Sequence, residues 1–181
     1  MKKSFIIVFV ALFSTTLFAR FEVSNVALQW SAFKTPKKVA VKGTFKDMKL
    51  SSHSTQSLSS SLIGTSLTID TKSVSSGHEG RDITLVKSYF DLFSNPKIKA
   101  TIVKVTPRSI VMALQMNDKR ANIIMDYHFI NDTTIQLDGS MDMMKFALGD
   151  ALKSINDACF DLHKGKTWAD VTLKVVFNIK G

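Results

Sequence analysis

The side chains that could do chemistry are few, and none of them forms a recognisable catalytic or metal-binding motif. The four histidines are His53, His78, His128 and His163. Their spacing excludes a His-x-x-x-His pair, and a zinc site needs three or four converging ligands. The sequence also has no nucleophile elbow, glycine-rich phosphate loop or paired carboxylate motif. We therefore expect no enzyme activity, no catalytic residue, no metal and no cofactor.

A small charged cluster precedes a predicted helix and contains Glu79, Arg81 and Asp82. Asp82 is expected to cap that helix, because aspartate side chains accept hydrogen bonds from the first free backbone amides. Arg81 has two interpretations. It pairs locally with an acid, or it neutralises the head group of a ligand at the mouth of the fold. Arg81 is thus our single head-group candidate.

Cys159 is the only cysteine, so the chain has no intrachain disulfide and its stability must come from packing. Cys159 lies at helical spacing from Leu148, Leu152 and Ile155 in the segment "KFALGDALKSINDACF". A position on the apolar stripe of a helix favours a buried, inert thiol over a reactive one.

The N-terminus has the layout of a secretory signal peptide. Two lysines precede an apolar run, residues 5–13. This run is too short to span a bilayer, since a transmembrane helix needs about 20 apolar residues. Small and polar residues then lead to a predicted cleavage site after Ala19. We therefore expect a periplasmic protein with one domain, residues 20–181.

The formal net charge is +9, and it is +7 once residues 1–19 are removed with Lys2 and Lys3. The positive residues are scattered and form no arginine-rich stripe, which argues against a nucleic-acid partner. An anionic head group or a peripheral contact with an anionic membrane suits an exported basic protein, and so does solubility alone. The sequence also leaves open whether the protein forms a homodimer.

Alternation of apolar and polar residues dominates the chain and predicts strands. In residues 38–45, for example, Val39, Val41, Gly43 and Phe45 share one face. About eight such segments, mostly joined by short turns, predict an all-β fold, an eight-stranded antiparallel barrel. Two short helices are expected, in residues 81–93 and 145–160.

A barrel of eight strands is either filled by side chains or holds one small ligand. Small residues on the apolar faces, such as Gly43 and Gly139, would leave room, and methionines adapt to irregular contents. The residues predicted to line the pore are Val41, Phe45, Met112, Leu114, Met116, Met125, Tyr127, Leu137, Met141 and Phe177.

Three segments together resemble the YceI-like family of exported bacterial, polyisoprenoid-binding, lipocalin-like proteins. They are "WSAFKTPKKVAVKGTFKDMKL" (30–50), "LTIDTKSVSSGHEGRDITLVKSYFDLFSNPKIKATI" (67–102) and "HKGKTWADVTL" (163–173). The resemblance implies a lipocalin-like barrel whose apolar pore holds a long isoprenoid or another amphiphilic chain, with no catalytic set.

Two expectations about function follow. The first is a periplasmic protein that sequesters or carries a long-chain isoprenoid or fatty amphiphile. Strands of about ten residues, tilted by about 40°, give a pore on the order of 25 Å, which suits an extended chain. The second is a periplasmic stress or structural protein with a packed core and no ligand. In either case Lys164–Lys166 is predicted to be a turn, and Trp168 is predicted to brace one end of the barrel.

Overall fold

The computed structural model describes residues 20–181, so the predicted signal peptide and its cleavage after Ala19 lie outside the described residues. The described chain is dominated by one antiparallel sheet of ten strands. The strands are β1 (Glu22–Lys34), β2 (Val39–Phe45), β3 (Met48–Ser51), β4 (Ser66–Asp70), β5 (Val74–Ser75), β6 (Lys97–Val105), β7 (Ser109–Met116), β8 (Lys119–Asn131), β9 (Thr134–Asp142) and β10 (Thr167–Lys180).

The strands follow the order β3-β4-β6-β7-β8-β9-β10-β1-β2-β5, so strands distant in sequence close the fold. β2 lies next to one edge of the sheet, and β3 forms the opposite edge. Only Lys46 and Asp47 separate these two strands, so the sheet must curl until its two ends approach each other. The result is an all-β, curled antiparallel sheet of the half-barrel type.

The all-β prediction is confirmed, whereas the structure has ten strands in residues 20–181 where the sequence predicts eight. The two additional strands, β3 and β5, contain four and two residues. Segments this short display too few residues for an alternating pattern to be recognised. They nevertheless matter, because they form the two edges of the sheet.

The described residues contain four α-helices, of which two were predicted. They are α1 (Leu58–Leu62), α2 (Glu79–Ser88), α3 (Gly149–Ala158) and α4 (Phe160–His163). α1 lies in the serine-rich segment that reads as a loop, and Ser57 caps it by accepting from the Ser60 amide at 3.2 Å. Among residues 20–181, no helix is long and apolar enough to cross a membrane.

The N-terminal cap of α2 differs from the prediction. His78 caps this helix, since its Nδ1 accepts from the Arg81 amide at 3.2 Å. Asp82 instead accepts from the amide and the hydroxyl of Ser76, at 2.8 and 2.6 Å. The carboxylate therefore fastens the loop before α2, one turn away from where a cap would act.

The interior of the sheet is filled at the end that carries the β6–β7 and β8–β9 turns. Five apolar side chains there are completely inaccessible to solvent: Val23, Ile110, Met125, Ile135 and Leu137. Gly139 contributes to this packing, because a β-carbon at that position would lie 2.9 Å from Cγ of Met125. This glycine makes space for a neighbouring side chain and not for a ligand.

Candidate ligand-binding cavity

The other part of the interior is hollow and forms a cavity of about 500 Å³. Small-molecule sites in proteins commonly enclose about 300–1,000 Å³. Its walls come from the concave face of the sheet and from the two longer helices, α2 and α3, which pack against each other. The fold therefore combines a packed end with a cavity under a helical cover.

The cavity is elongated along β10. Six residues of this strand line it: Thr167, Trp168, Val171, Leu173, Val175 and Phe177. They extend over most of the length of the strand, and we call this cavity the tunnel.

Seven of the ten residues predicted to line the pore line this cavity. They are Val41, Phe45, Met112, Leu114, Met116, Met141 and Phe177. Their alternation in the sequence places them on the concave face, and the strand pairing keeps neighbouring residues of that face together, as it does Ala32 and Val41. Their contact with a ligand stays a prediction.

Met125, Tyr127 and Leu137 do not line the cavity. Met125 and Leu137 are fully buried in the packed end, where Met125 lies over Gly139. The hydroxyl of Tyr127, on β8, donates to the carbonyl of Thr106 at 3.0 Å and so ties this side chain to the β6–β7 turn. Alternation predicted that these residues face inward. It does not indicate at which point along the strands the interior changes from hollow to packed.

The sequence analysis missed the contribution of the helices. α2, the short turn after it and α3 supply cavity residues that an all-strand pore lacks: Leu85, Tyr89, Phe90, Leu152, Ile155 and Cys159. The helical spacing of these residues was visible in the sequence. It indicated which face of each helix is apolar but not that this face covers a cavity. Cys159 follows the last residue of α3 and is half-buried at the cavity wall, not enclosed in a core as predicted.

Tyr89 is the most unusual polar residue of the wall. Its ring packs edge-on against Phe90 and Phe93, and its side chain is 6% exposed. The hydroxyl has no hydrogen-bond partner among the described residues. Burial raises the pKa of this hydroxyl, so it stays protonated and keeps a proton to donate.

At one end of the tunnel, the loop after β1 and the loop before β10 are bonded to each other. The Thr35 amide donates to the carbonyl of Lys166 at 2.8 Å, and Nε1 of Trp168 donates to the carbonyl of Thr35 at 2.8 Å. The ammonium groups of Lys38 and Lys166 lie 5.0 and 4.7 Å from the indole. Trp168 therefore braces this end of the fold, as predicted, and also lines the cavity.

Lys164–Lys166 forms the predicted turn before β10. Lys164 and Gly165 have φ angles of 50° and 71°, in the left-handed region. The Phe160 ring covers this turn, and a β-carbon at position 165 would lie 3.2 Å from it. Glycine is therefore the residue that fits both the backbone conformation and the close approach of the ring.

His163 lies at the same end of the tunnel and is held by hydrogen bonds. Its Nδ1 is 2.7 Å from Oγ1 of Thr167, which donates its proton to Oδ1 of Asn156 at 2.9 Å. Since a hydroxyl has one proton, Thr167 must accept from Nδ1–H, which leaves Nε2 of the neutral imidazole as an acceptor. Burial, and then the positive charge of Lys34, lower the pKa of His163.

Arg81, the predicted head-group residue, lines the cavity together with His78 and Thr84. Its guanidinium group forms no ion pair with the residues that the structure describes, so the local pairing considered from the sequence is not observed. In residues 20–181 there is also no cluster of three or more histidine, cysteine, aspartate or glutamate side chains that would hold a metal ion.

Comparison with known proteins places this architecture in a family. The family model for the YceI-like domain matches residues 20–179, which is almost all of the described chain. The chain belongs to the YceI-like family. No curated protein matches the sequence.

Solved structures of this family share the fold at low sequence identity. A polyisoprenoid-binding domain from Saccharophagus degradans is 12% identical and has a TM-score of 0.64, with 91% of this chain and 98% of that chain covered. BcnA from Burkholderia cenocepacia is 16% identical with a TM-score of 0.54, over 85% and 96% of the two chains. The YceI protein of Campylobacter jejuni is 17% identical with a TM-score of 0.50, over 74% and 81%.

Proposed function

We propose that this YceI-like protein binds a long-chain isoprenoid or fatty amphiphile in its cavity and thereby sequesters or carries it. The observation that carries this proposal is the hollow, largely apolar tunnel of about 500 Å³, which is lined by residues along most of β10. The polyisoprenoid-binding domain of Saccharophagus degradans, which has the same fold, supports it. No step of this function requires a catalytic residue or a cofactor.

Apolar burial supplies the affinity in this proposal. Each methylene that leaves water contributes about 0.8 kcal/mol, so a chain that fills the tunnel gains far more than a short metabolite. The signal-peptide pattern of residues 1–19 supports delivery to the periplasm, where such a chain needs shelter from water. The alternative of a packed structural protein fits the filled end of the interior but not the hollow one.

The first experiment identifies what the protein carries. The purified protein is extracted with organic solvent, and the extract is analysed by mass spectrometry. We expect a long-chain lipid or isoprenoid in stoichiometric amount. Extracts without such a species, together with no binding of added long-chain probes, would favour the structural alternative.

A pair of variants on β1 tests whether the cavity is the site. Ala32 lines the cavity, whereas Ala27 of the same strand is exposed on the convex face. Ala32→Phe places a ring in the tunnel without a charge, and we expect at least a tenfold loss of affinity for a long-chain probe. Ala27→Phe is the matched control and should bind as the wild type does. Equal binding by both variants would contradict the assignment of the cavity.

A further inference from the structure

The charged side chains of the cavity wall all carry, or are able to carry, positive charge. They are Lys34, His78, Arg81 and His163. No aspartate or glutamate of the described chain lines the cavity. These four residues come from the end of β1, the loop before α2, α2 itself and α4, so the cationic character is not a property of one segment.

Lys34 and Arg81 also lack an internal counter-charge. Some lysines of the described chain pair with acids, as Lys38 does with Asp170 at 2.7 Å and Lys97 with Asp70 at 2.7 Å. Neither the Lys34 ammonium nor the Arg81 guanidinium forms an ion pair or a side-chain hydrogen bond with residues 20–181. Both side chains are half-buried, so water compensates them only in part.

The position of Lys34 is fixed by the sheet. Its backbone pairs with Thr167 of β10, the residue whose hydroxyl holds His163. After burial, the positive charge of Lys34 contributes to the lowered pKa of His163, which also lines the cavity. Thr167 and a neutral His163 therefore place further polar groups beside the ammonium group.

We propose that the bound amphiphile has an anionic head group, a carboxylate or a phosphate monoester, and that Lys34 and Arg81 select it. This inference rests on the proposed function, because it assigns the head group of the chain that fills the tunnel. An anion beside these residues supplies the counter-charge that the wall lacks, and the partial burial of both side chains strengthens the attraction relative to bulk water. The cavity would then distinguish ligands of equal length by their charge.

The test compares two ligands that differ only at the head group, hexadecanoic acid and hexadecan-1-ol. Their binding is measured by displacement of N-phenyl-1-naphthylamine, a neutral fluorescent probe. We expect the wild type to bind the acid about tenfold more tightly than the alcohol. Lys34→Gln and Arg81→Gln should each weaken acid binding by roughly threefold to tenfold, as expected for charge pairs that are partly exposed to water, and should weaken alcohol binding much less.

Lys37→Gln is the matched control, because Lys37 lies in the loop that follows Lys34 but is exposed and outside the cavity wall. It should preserve the preference for the acid. Inorganic phosphate is added alone to separate a head group from a free anion. It should displace neither the probe nor the acid at millimolar concentration.

Each other outcome has a distinct meaning. Equal affinity for acid and alcohol in the wild type would overturn the anionic head group while the proposed function stands. A preference for the acid that survives Lys34→Gln and Arg81→Gln would overturn the assignment of these residues. Displacement by phosphate alone would show a free-anion site, and failure of both ligands to bind would defeat the proposed function itself.

Discussion

The indole ring of Trp30 lies directly over Gly43 of the neighbouring strand, and a β-carbon added at Gly43 would fall 2.2 Å from Cζ2 of that ring. The two residues are cross-strand partners, and Nε1 of Trp30 donates to the carbonyl of Thr44 at 3.2 Å. The same β-carbon would lie 2.8 Å from the carbonyl oxygen of Ser75 on β5. Gly43 therefore allows Trp30 to close the cavity wall and β5 to complete the sheet.

Gly43→Ala should destabilise the fold because the indole and a strand backbone would both have to move. Overpacking of this kind costs about 1–3 kcal/mol. For a domain of this size we expect the melting temperature to fall by about 3–10 °C, as measured by circular dichroism. Gly139→Ala is the comparison, since the closest approach there, 2.9 Å to Cγ of Met125, is less severe than that at Gly43, and its loss should be smaller. A larger loss at Gly139 would contradict this account.

Met125→Lys should prevent folding rather than remove ligand binding selectively. Met125 is completely buried in the packed end, so its replacement would enclose a charge without a partner, which is strongly disfavoured. We expect little soluble protein, or a melting temperature far below that of the wild type. Ile124→Lys is the control on the adjacent, convex face, where Ile124 is 67% exposed. A stable Met125→Lys protein that still binds a long chain would show that the packed end is hollow.

Tyr89→Phe should leave the stability of the protein unchanged or raise it by up to about 1 kcal/mol. The Tyr89 hydroxyl is buried without a hydrogen-bond partner among the described residues. Folding therefore removes its hydrogen bonds to water without replacing them, and the variant avoids this cost. Tyr127→Phe is the matched control. It deletes the hydrogen bond to the Thr106 carbonyl and should lower stability by about 0.5–1.5 kcal/mol. Urea denaturation measures both, and a clear loss in Tyr89→Phe would reveal a partner for that hydroxyl.

The strand pattern predicted most of the fold because each face of a strand meets one environment. Val41, Phe45 and Met112 were placed on the concave face by alternation alone, and all three line the cavity. The strands that escaped notice, Met48–Ser51 and Val74–Ser75, are held by pairing with distant segments and not by a local pattern.

The candidate site was predicted less completely, since its extent depends on packing in three dimensions. Leu114 and Leu137 look alike in the sequence, yet one lines the cavity and the other is sealed in the packed end. No sequence pattern singled out Lys34, because its proposed role in head-group binding depends on pairing with Thr167, more than a hundred residues away in the chain. Arg81 was singled out because it stands beside a helix start.

The stability of the protein should fall in mildly acidic solution, and His163 should contribute to that loss. Its pKa is lowered below the ordinary value of 6.5 by burial and by the charge of Lys34, so the unfolded chain binds a proton more readily than the folded one. The contribution of neutral His163 to the free energy of unfolding is therefore complete above about pH 6.5. It is lost as the pH falls below 6.5 and through the lower pKa that His163 has in the folded state.

His163→Gln tests this contribution, because glutamine retains a donor for Thr167 but does not titrate. Melting temperatures are measured at about pH 7.5 and about pH 5. We expect the wild type to lose more stability between these conditions than His163→Gln does, by a few degrees. His53→Gln is the control, since His53 is exposed to solvent, and its acid loss should match that of the wild type. If His163→Gln and the wild type lose stability equally, protonation of His163 is not coupled to unfolding, and the acid sensitivity must arise from carboxylates such as Asp70, whose pKa is lowered by its hydrogen bond with Lys97.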